Sequence, residues 1–150
     1  MTGRLAGKSA LITGSARGIG KHFAKGYLSE GAQVAIADVN LAAAEKTAAE
    51  LGQGAYAVHM DVTDPASIQA AMEAVVEKTG KIDIVINNAA LFTASPTVEI
   101  TTQDFEKLYA VNVFGTLFTI QAAAKQMIAQ GHGGKIINMA SQAGRRGEPY

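Results

Sequence analysis

Three glycines near the start of the chain are spaced for phosphate binding. They stand in Thr13-Gly14-Ser15-Ala16-Arg17-Gly18-Ile19-Gly20, directly after the apolar run Ser9 to Ile12. Ile19, Phe23, Tyr27 and Leu28 then recur at helical spacing. The first run reads as a buried strand and the second as a helix with those four residues on its apolar face. A strand that feeds a helix through glycines bares the backbone and lets it come close to a pyrophosphate. The free N–H groups and the dipole of the helix N-terminus then favour the negative charge. Gly14, Ser15, Arg17, Gly18, Ile19 and Gly20 are the candidate contacts. A tight turn without a ligand uses the same glycines.

A second apolar run, Val34 to Ala37, ends at Asp38. An acid about 20 residues past such a loop accepts hydrogen bonds from a dinucleotide's ribose hydroxyls. Its charge repels a 2′-phosphate, which favours NAD over NADP. The competing reading is a cap on the next helix.

The elements that must hold these residues follow in order. Leu41 to Leu51 reads as a helix closed by Gly52-Gln53-Gly54. Tyr56 to Met60 is a third strand, ending in Asp61-Val62. Asp64 caps a helix that has Pro65 in its first turn, runs to Lys78 and closes at Gly80. Ile82 to Ile86 is almost all β-branched, as suits a parallel strand buried on both faces. After the loop Leu91 to Ile100, a helix capped by Thr101 or Thr102 runs to Gln130. Lys135 to Met139 is the fifth strand, with Ala140-Ser141 at its carboxyl end, the edge where open α/β sheets gather ligands. Strands that alternate with helices imply an α/β fold: a Rossmann-type, doubly wound parallel sheet of order 3-2-1-4-5.

Taken together, the glycine loop, Asn87-Asn88-Ala89-Ala90 and Ser141 resemble the T-G-x-x-x-G-x-G, Asn-Asn-Ala-Gly and catalytic-serine motifs of the short-chain dehydrogenase/reductase family, with alanine in place of the last glycine. The resemblance implies that Asp61 and Val62 touch the adenine, although Asp61 also reads as a plain loop acid. It implies that Asn88, Ala89 and Ala90 approach the cofactor ribose. Asn112 would bend its helix and hold a water in a proton relay; a satisfied core amide is the alternative. Ser141 would hydrogen-bond the substrate oxygen. Arg17, just before the second glycine, is a feature of NADP users and pulls against Asp38; the acid outweighs it because it sits at the ribose itself. Within the family, Asn87 to Phe92 and Lys135 to Glu148 are similar to the sorbitol (polyol) dehydrogenases. The implied activity is NAD-dependent interconversion of a polyol and its ketose.

The family's acid–base pair is a Tyr-x-x-x-Lys arrangement on the helix after the serine. Tyr150 falls nine residues after Ser141, in the proline-containing stretch Gly147-Glu148-Pro149-Tyr150, with no lysine after it. It is therefore not expected to be the proton donor. Residues 1–150 read as one NAD-binding domain, incomplete at its C-terminus and inactive alone. A catalytically silent NAD-binding fragment and a 3-oxoacyl reductase of the same family are the alternatives.

Composition narrows the classes further. With 48% hydrophobic and 17% charged residues the chain is globular. A net charge of zero without a basic cluster excludes an electrostatic footprint for nucleic acid. Absence of cysteine excludes disulfides and thiolate chemistry and accords with the cytoplasm. No apolar run reaches the roughly 18 residues of a membrane span, and the N-terminus does not read as a signal peptide. His22, His59 and His132 lack metal-ligand spacing. The long helix is apolar around more than one face, from Phe105 to Ile128. That predicts either a subunit interface of a homo-oligomer, dimer or tetramer, or cover by further C-terminal structure.

Overall fold

All five residues of Ser9–Thr13 (β1) are buried, and this strand is the middle of the sheet. The computed structural model describes residues 3–146. β2 (Gln33–Asp38) and then β3 (Ala55–His59) lie on one side of β1; β4 (Ile84–Asn87) and then β5 (Lys135–Asn138) lie on the other. Every pairing is parallel, so the order is 3-2-1-4-5 as the alternating pattern predicts.

Helices cover both faces because successive residues of β1 point to opposite sides. Ala10 and Ile12 pack with Val34, Ile36, Ile84 and Ile86 against Ala24 of α1 (Gly18–Ser29) and Ala44 and Ala48 of α2 (Leu41–Leu51). Leu11 packs with Ala35, Ala37 and Val85 against α3 (Pro65–Thr79) and α5 (Thr116–Ala129), through Ile68, Met72, Val75, Ala123 and Met127. Asp64 caps α3 through its carboxylate, and Gly80 ends it in the left-handed conformation, both as the sequence indicates.

Three expectations change. The helix from α4 (Thr102–Tyr109) to α5 is interrupted by a π-helical segment, Ala110–Gly115. A Cβ on Gly115 would lie 2.9 Å from a Val62 methyl carbon, so only glycine lets this segment rest on the loop after β3. β4 begins at Ile84, because the side-chain amide of Gln130 takes both the N–H and the carbonyl of Ile82. Ile19 is not part of the core face of α1; it is 64% exposed. Tyr150 and the rest of 147–150 lie outside the described residues.

Among the described residues β5 forms one edge of the sheet and β3 the other; Ile137 of β5 and the following Met139 are exposed. Phe105, Tyr109, Val113, Phe114 and Leu117 are exposed along α4, the π segment and α5. Their rings run on in contact: Phe105 to Tyr109 at 4.8 Å, then Tyr109 to Phe114 and Phe114 to Phe118 at 6.2 Å each. Among the described residues, no helix is long and apolar enough to cross a membrane.

At the amino ends of the strands, Asp83 ties β1, β4 and β5 together. Its carboxylate accepts from the Ser9 N–H at 2.9 Å and pairs with Lys81 at 3.1 Å and Lys8 at 3.3 Å, while its carbonyl accepts from the Lys135 N–H. Burial alone would push this carboxyl up, but the Ser9 N–H and the two lysines outweigh it and hold it below the ordinary 3.8. A depressed carboxyl stabilises the fold above its unfolded value and loses that contribution as pH falls through the folded value. Asp83→Asn should therefore lower unfolding free energy at neutral pH by about 1–3 kcal/mol, with the gap from wild type narrower at a pH below the ordinary 3.8. Urea unfolding at the two pH values checks this; a gap that does not change with pH would refute the assignment.

Candidate functional site

A cleft of about 410 Å³ opens at the carboxyl ends of β1, β2 and β4, walled by the glycine loop, by Asp38 and Val39, by the loop after β3 and by Asn88 to Leu91. That edge is where an open α/β sheet places its ligand. Each glycine is required for its own reason. Gly14 has φ +62°, and a Cβ there would stand 2.8 Å from the Ala89 Cα. Gly18 has φ +57° and faces open space. Gly20 has no room for a Cβ, which would meet the Asn88 amide nitrogen at 2.6 Å.

The loop is held from behind by Thr13. Its buried hydroxyl accepts from the backbone N–H groups of Asn88 (3.0 Å) and Ala89 (2.9 Å). The Asn88 side-chain amide donates to the carbonyls of Thr13 (2.9 Å) and Gly14 (3.1 Å). Asn87 reaches the other way and donates to Asn138 at 2.8 Å, joining β4 to β5. The two adjacent amides thus join β4 to the strands on both sides.

The electrostatics of the cleft suit an anion on one side and hydroxyls on the other. Asn40, Asp64 and Thr101 cap α2, α3 and α4 through their side chains, whereas α1 begins at Arg17 with no side-chain cap and no acid in its first turn. Its first N–H groups and dipole end therefore stay available beside Gly18 and Ile19. Across the cleft, Asp38 is fixed at both oxygens: Oδ2 accepts from the Ala16 N–H and Oδ1 from the Asn40 N–H, each at 3.1 Å. Each oxygen keeps a lone pair for a ligand hydroxyl. Asp61 turns the loop after β3 by accepting from the Thr63 N–H and hydroxyl at 2.8 and 2.7 Å, and Val62 lines the cleft beside it. These residues fit a nicotinamide dinucleotide: a bare, uncapped helix start for the phosphates and a carboxylate for a ribose.

Of the residues expected from sequence, Gly14, Arg17, Gly18, Ile19, Asp38, Asp61, Val62, Asn88, Ala89 and Ala90 line the cleft. Ser15 does not line the cleft: it is fully buried, its hydroxyl donates to the Ile12 carbonyl at 2.7 Å and its N–H to the Ala37 carbonyl. Gly20 lies behind the cleft as packing. Ile19 is exposed because it faces the cleft rather than the sheet. Asn112 is exposed and its side-chain amide clasps one residue: it accepts from the Leu91 N–H at 2.8 Å and donates to the Leu91 carbonyl at 2.9 Å. It sits in the π segment, where the expected helix distortion occurs, and it anchors the cleft wall. Ser141 lies beyond β5 and outside the cleft wall, its Oγ accepting from the Ala143 N–H at 3.2 Å. Val39, Met60, Leu91 and Val111 also line the cleft and were not singled out. Val39 and Met60 directly follow strand ends, a usable signal, whereas Leu91 comes four residues after β4 and Val111 is brought in by the π segment alone.

Residues 8–150 match the family described as short chain dehydrogenase. The chain is 62% identical over 145 residues to a sorbitol dehydrogenase of Cereibacter sphaeroides and 52% identical over 145 residues to a galactitol 2-dehydrogenase of Agrobacterium fabrum. Each match covers 97% of this chain and 57% of the relative. A D-threitol dehydrogenase of Mycolicibacterium smegmatis is 46% identical over 143 residues, with 93% of this chain and 55% of that one covered. The chain thus spans little more than half the length of these relatives. Among solved structures, a short-chain type dehydrogenase/reductase from Mycobacterium marinum superposes with a TM-score of 0.92 at 36% identity, covering 96% of this chain and 60% of that one. A 3-ketoacyl-(acyl-carrier-protein) reductase from Brucella melitensis, complexed with NADH, does so at 0.91 and 36% identity, covering 97% and 61%.

The two left-handed glycines should respond differently to alanine. Gly18→Ala should cost about 1 kcal/mol, the strain of a left-handed backbone with space for the methyl. Gly14→Ala should cost about 2–4 kcal/mol, because the same strain is joined by a backbone collision. Equal losses in denaturant unfolding would show that the Gly14–Ala89 approach is not what constrains the turn.

Proposed function

The chain belongs to the short-chain dehydrogenase/reductase family, and from that premise we propose that it forms the cofactor-holding part of a cytoplasmic, NAD-dependent oxidoreductase interconverting a sorbitol-like polyol and its ketose. The observation that carries the reading is the Asp38 carboxylate, fixed at both oxygens opposite an uncapped α1 N-terminus. The polyol assignment is supported by relatives named for sorbitol, galactitol and D-threitol. A 3-oxoacyl reductase reading draws on a structural neighbour at 36% identity, against 62% for the sorbitol dehydrogenase.

In this mechanism the first turn of α1 and Gly18 hold the pyrophosphate, Asp38 accepts from the adenosine ribose hydroxyls, and Asp61-Val62 flank the adenine. Asn88, Ala89 and Ala90 shape the wall toward the second ribose. Bound NAD supplies the hydride acceptor. Ser141 steadies the substrate oxygen: its Oγ accepts from Ala143, which leaves the hydroxyl proton to donate. Asn112 keeps the loop at Leu91 in place and has one amide proton left for a relay water. Arg17, which lines the cleft, would lie along the pyrophosphate, leaving the choice at the ribose to Asp38. The exposed face from Phe105 to Leu117 is the proposed contact between copies in a dimer or tetramer.

The intact protein should reduce NAD with sorbitol, galactitol or threitol, monitored as NADH formation; turnover of a 3-oxoacyl thioester but of no polyol would replace the substrate assignment. Asp38→Ala should shrink the NAD-over-NADP preference in kcat/KM about tenfold or more. An unchanged ratio would remove Asp38 from its role. Light scattering should give a dimer or tetramer, and Phe114→Glu should shift it toward monomer; a wild-type monomer would end the interface proposal.

A further inference from the structure

Thr47 is an unusual choice at its position. It lies in the middle of α2 among Ala42, Ala43, Ala44, Ala48 and Ala49, where alanine is the better helix former. It is 3% exposed, and a buried hydroxyl costs stability unless it finds a partner. Its partner is not in its own helix. The hydroxyl donates to the Ala16 carbonyl of the glycine loop at 2.6 Å.

That bond closes a circuit around one wall of the cleft. Ala16 donates its N–H to Asp38 Oδ2, and Asp38 Oδ1 accepts from the N–H of Asn40, the residue that caps α2. Asn40 in turn accepts from the Ala43 N–H, which fixes the start of α2. Thr47 completes the path from α2 back to Ala16. The loop residue is thus held at its N–H by the carboxylate and at its carbonyl by the helix. The chain has no cis peptide bond among the described residues, so the Arg17 N–H points opposite to the Ala16 carbonyl, away from α2. The Thr47 bond therefore sets the peptide plane that leads into Arg17 and Gly18, both of which line the cleft.

We propose that Thr47, which does not itself line the cleft, is a positioning residue for the adenosine end of the cofactor, acting through the Ala16 carbonyl on the Ala16–Arg17 peptide and the Asp38 carboxylate. This rests on the nicotinamide-dinucleotide reading above. The circuit holds the carboxylate and the loop at a fixed separation before any ligand arrives. Without the hydroxyl, the Ala16 carbonyl is left buried without its partner and the loop turns to seek another.

The test is NADH binding by calorimetry on the intact protein, for wild type, Thr47→Val and Thr47→Ser, with thermal unfolding of each. Thr47→Val should raise the Kd for NADH about tenfold. Thr47→Ser should stay within about twofold of wild type, since it keeps the hydroxyl. The KM for NAD should follow the Kd, and the KM for the alcohol should not move. Thr47→Val that binds NADH as wild type does, even with a lowered Tm, would reduce Thr47 to helix packing and overturn the proposal. So would equal losses in the Val and Ser variants. If Thr47→Val does not fold, Thr47→Ala carries the same comparison. Wild-type protein that binds no NADH would overturn the dinucleotide reading itself and this inference with it.

Discussion

The structure depends on how closely the backbone of the first turn approaches the end of β4. Gly14 sits where a Cβ would strike Ala89, and Gly20 where one would strike the Asn88 side chain. Thr13 and Asn88 exchange four hydrogen bonds across this gap, counting those to Ala89 and Gly14. These bonds satisfy polar groups that burial would otherwise penalise. The cleft is what remains on the open side of that junction. Its depth follows from the bare glycine at position 18, and its polarity from the uncapped start of α1.

The opposite end of the sheet supports this one. Asp83 and Gln130 satisfy backbone groups that the strand ladder leaves over at the amino ends of β1 and β4. With both ends tied, the central strands are registered to the residue, and the carboxyl ends of β1, β2 and β4 arrive together. A slip of one residue would turn Leu11 and Ile12 to the wrong cores. The same register brings Asp38 level with the glycine loop, where Ala16 can reach it.

The far side of the molecule is built differently. Among the described residues β5 pairs with β4 alone, and the α4 to α5 face carries a run of exposed aromatic rings. The π segment between those helices makes two contacts at once: Gly115 meets Val62, and Asn112 holds Leu91. Through them, the apolar outer helix is mechanically joined to the cleft wall.

The sequence by itself determined the strand order, the glycine loop and Asp38, because each rests on local chemistry: alternating apolar runs, left-handed turns, and an acid directly after a buried strand. The cap at Asp64 was legible for the same reason, and the choice of Thr101 over Thr102 came from the structure. Tertiary structure alone decided the rest. Ser15 looks like a loop hydroxyl until Ile12 and Ala37 claim it. Ile19 reads as a core residue by helical spacing until α1 is docked, and then it faces the cleft. Thr47 is an ordinary helix residue until Ala16 lies 2.6 Å away. The π segment has no period-based signature, since one extra residue in a turn is chosen by what it must pack against. These features depend on partners distant in the chain, and spacing along a sequence carries no information about a hydrogen bond that exists only after the sheet has closed.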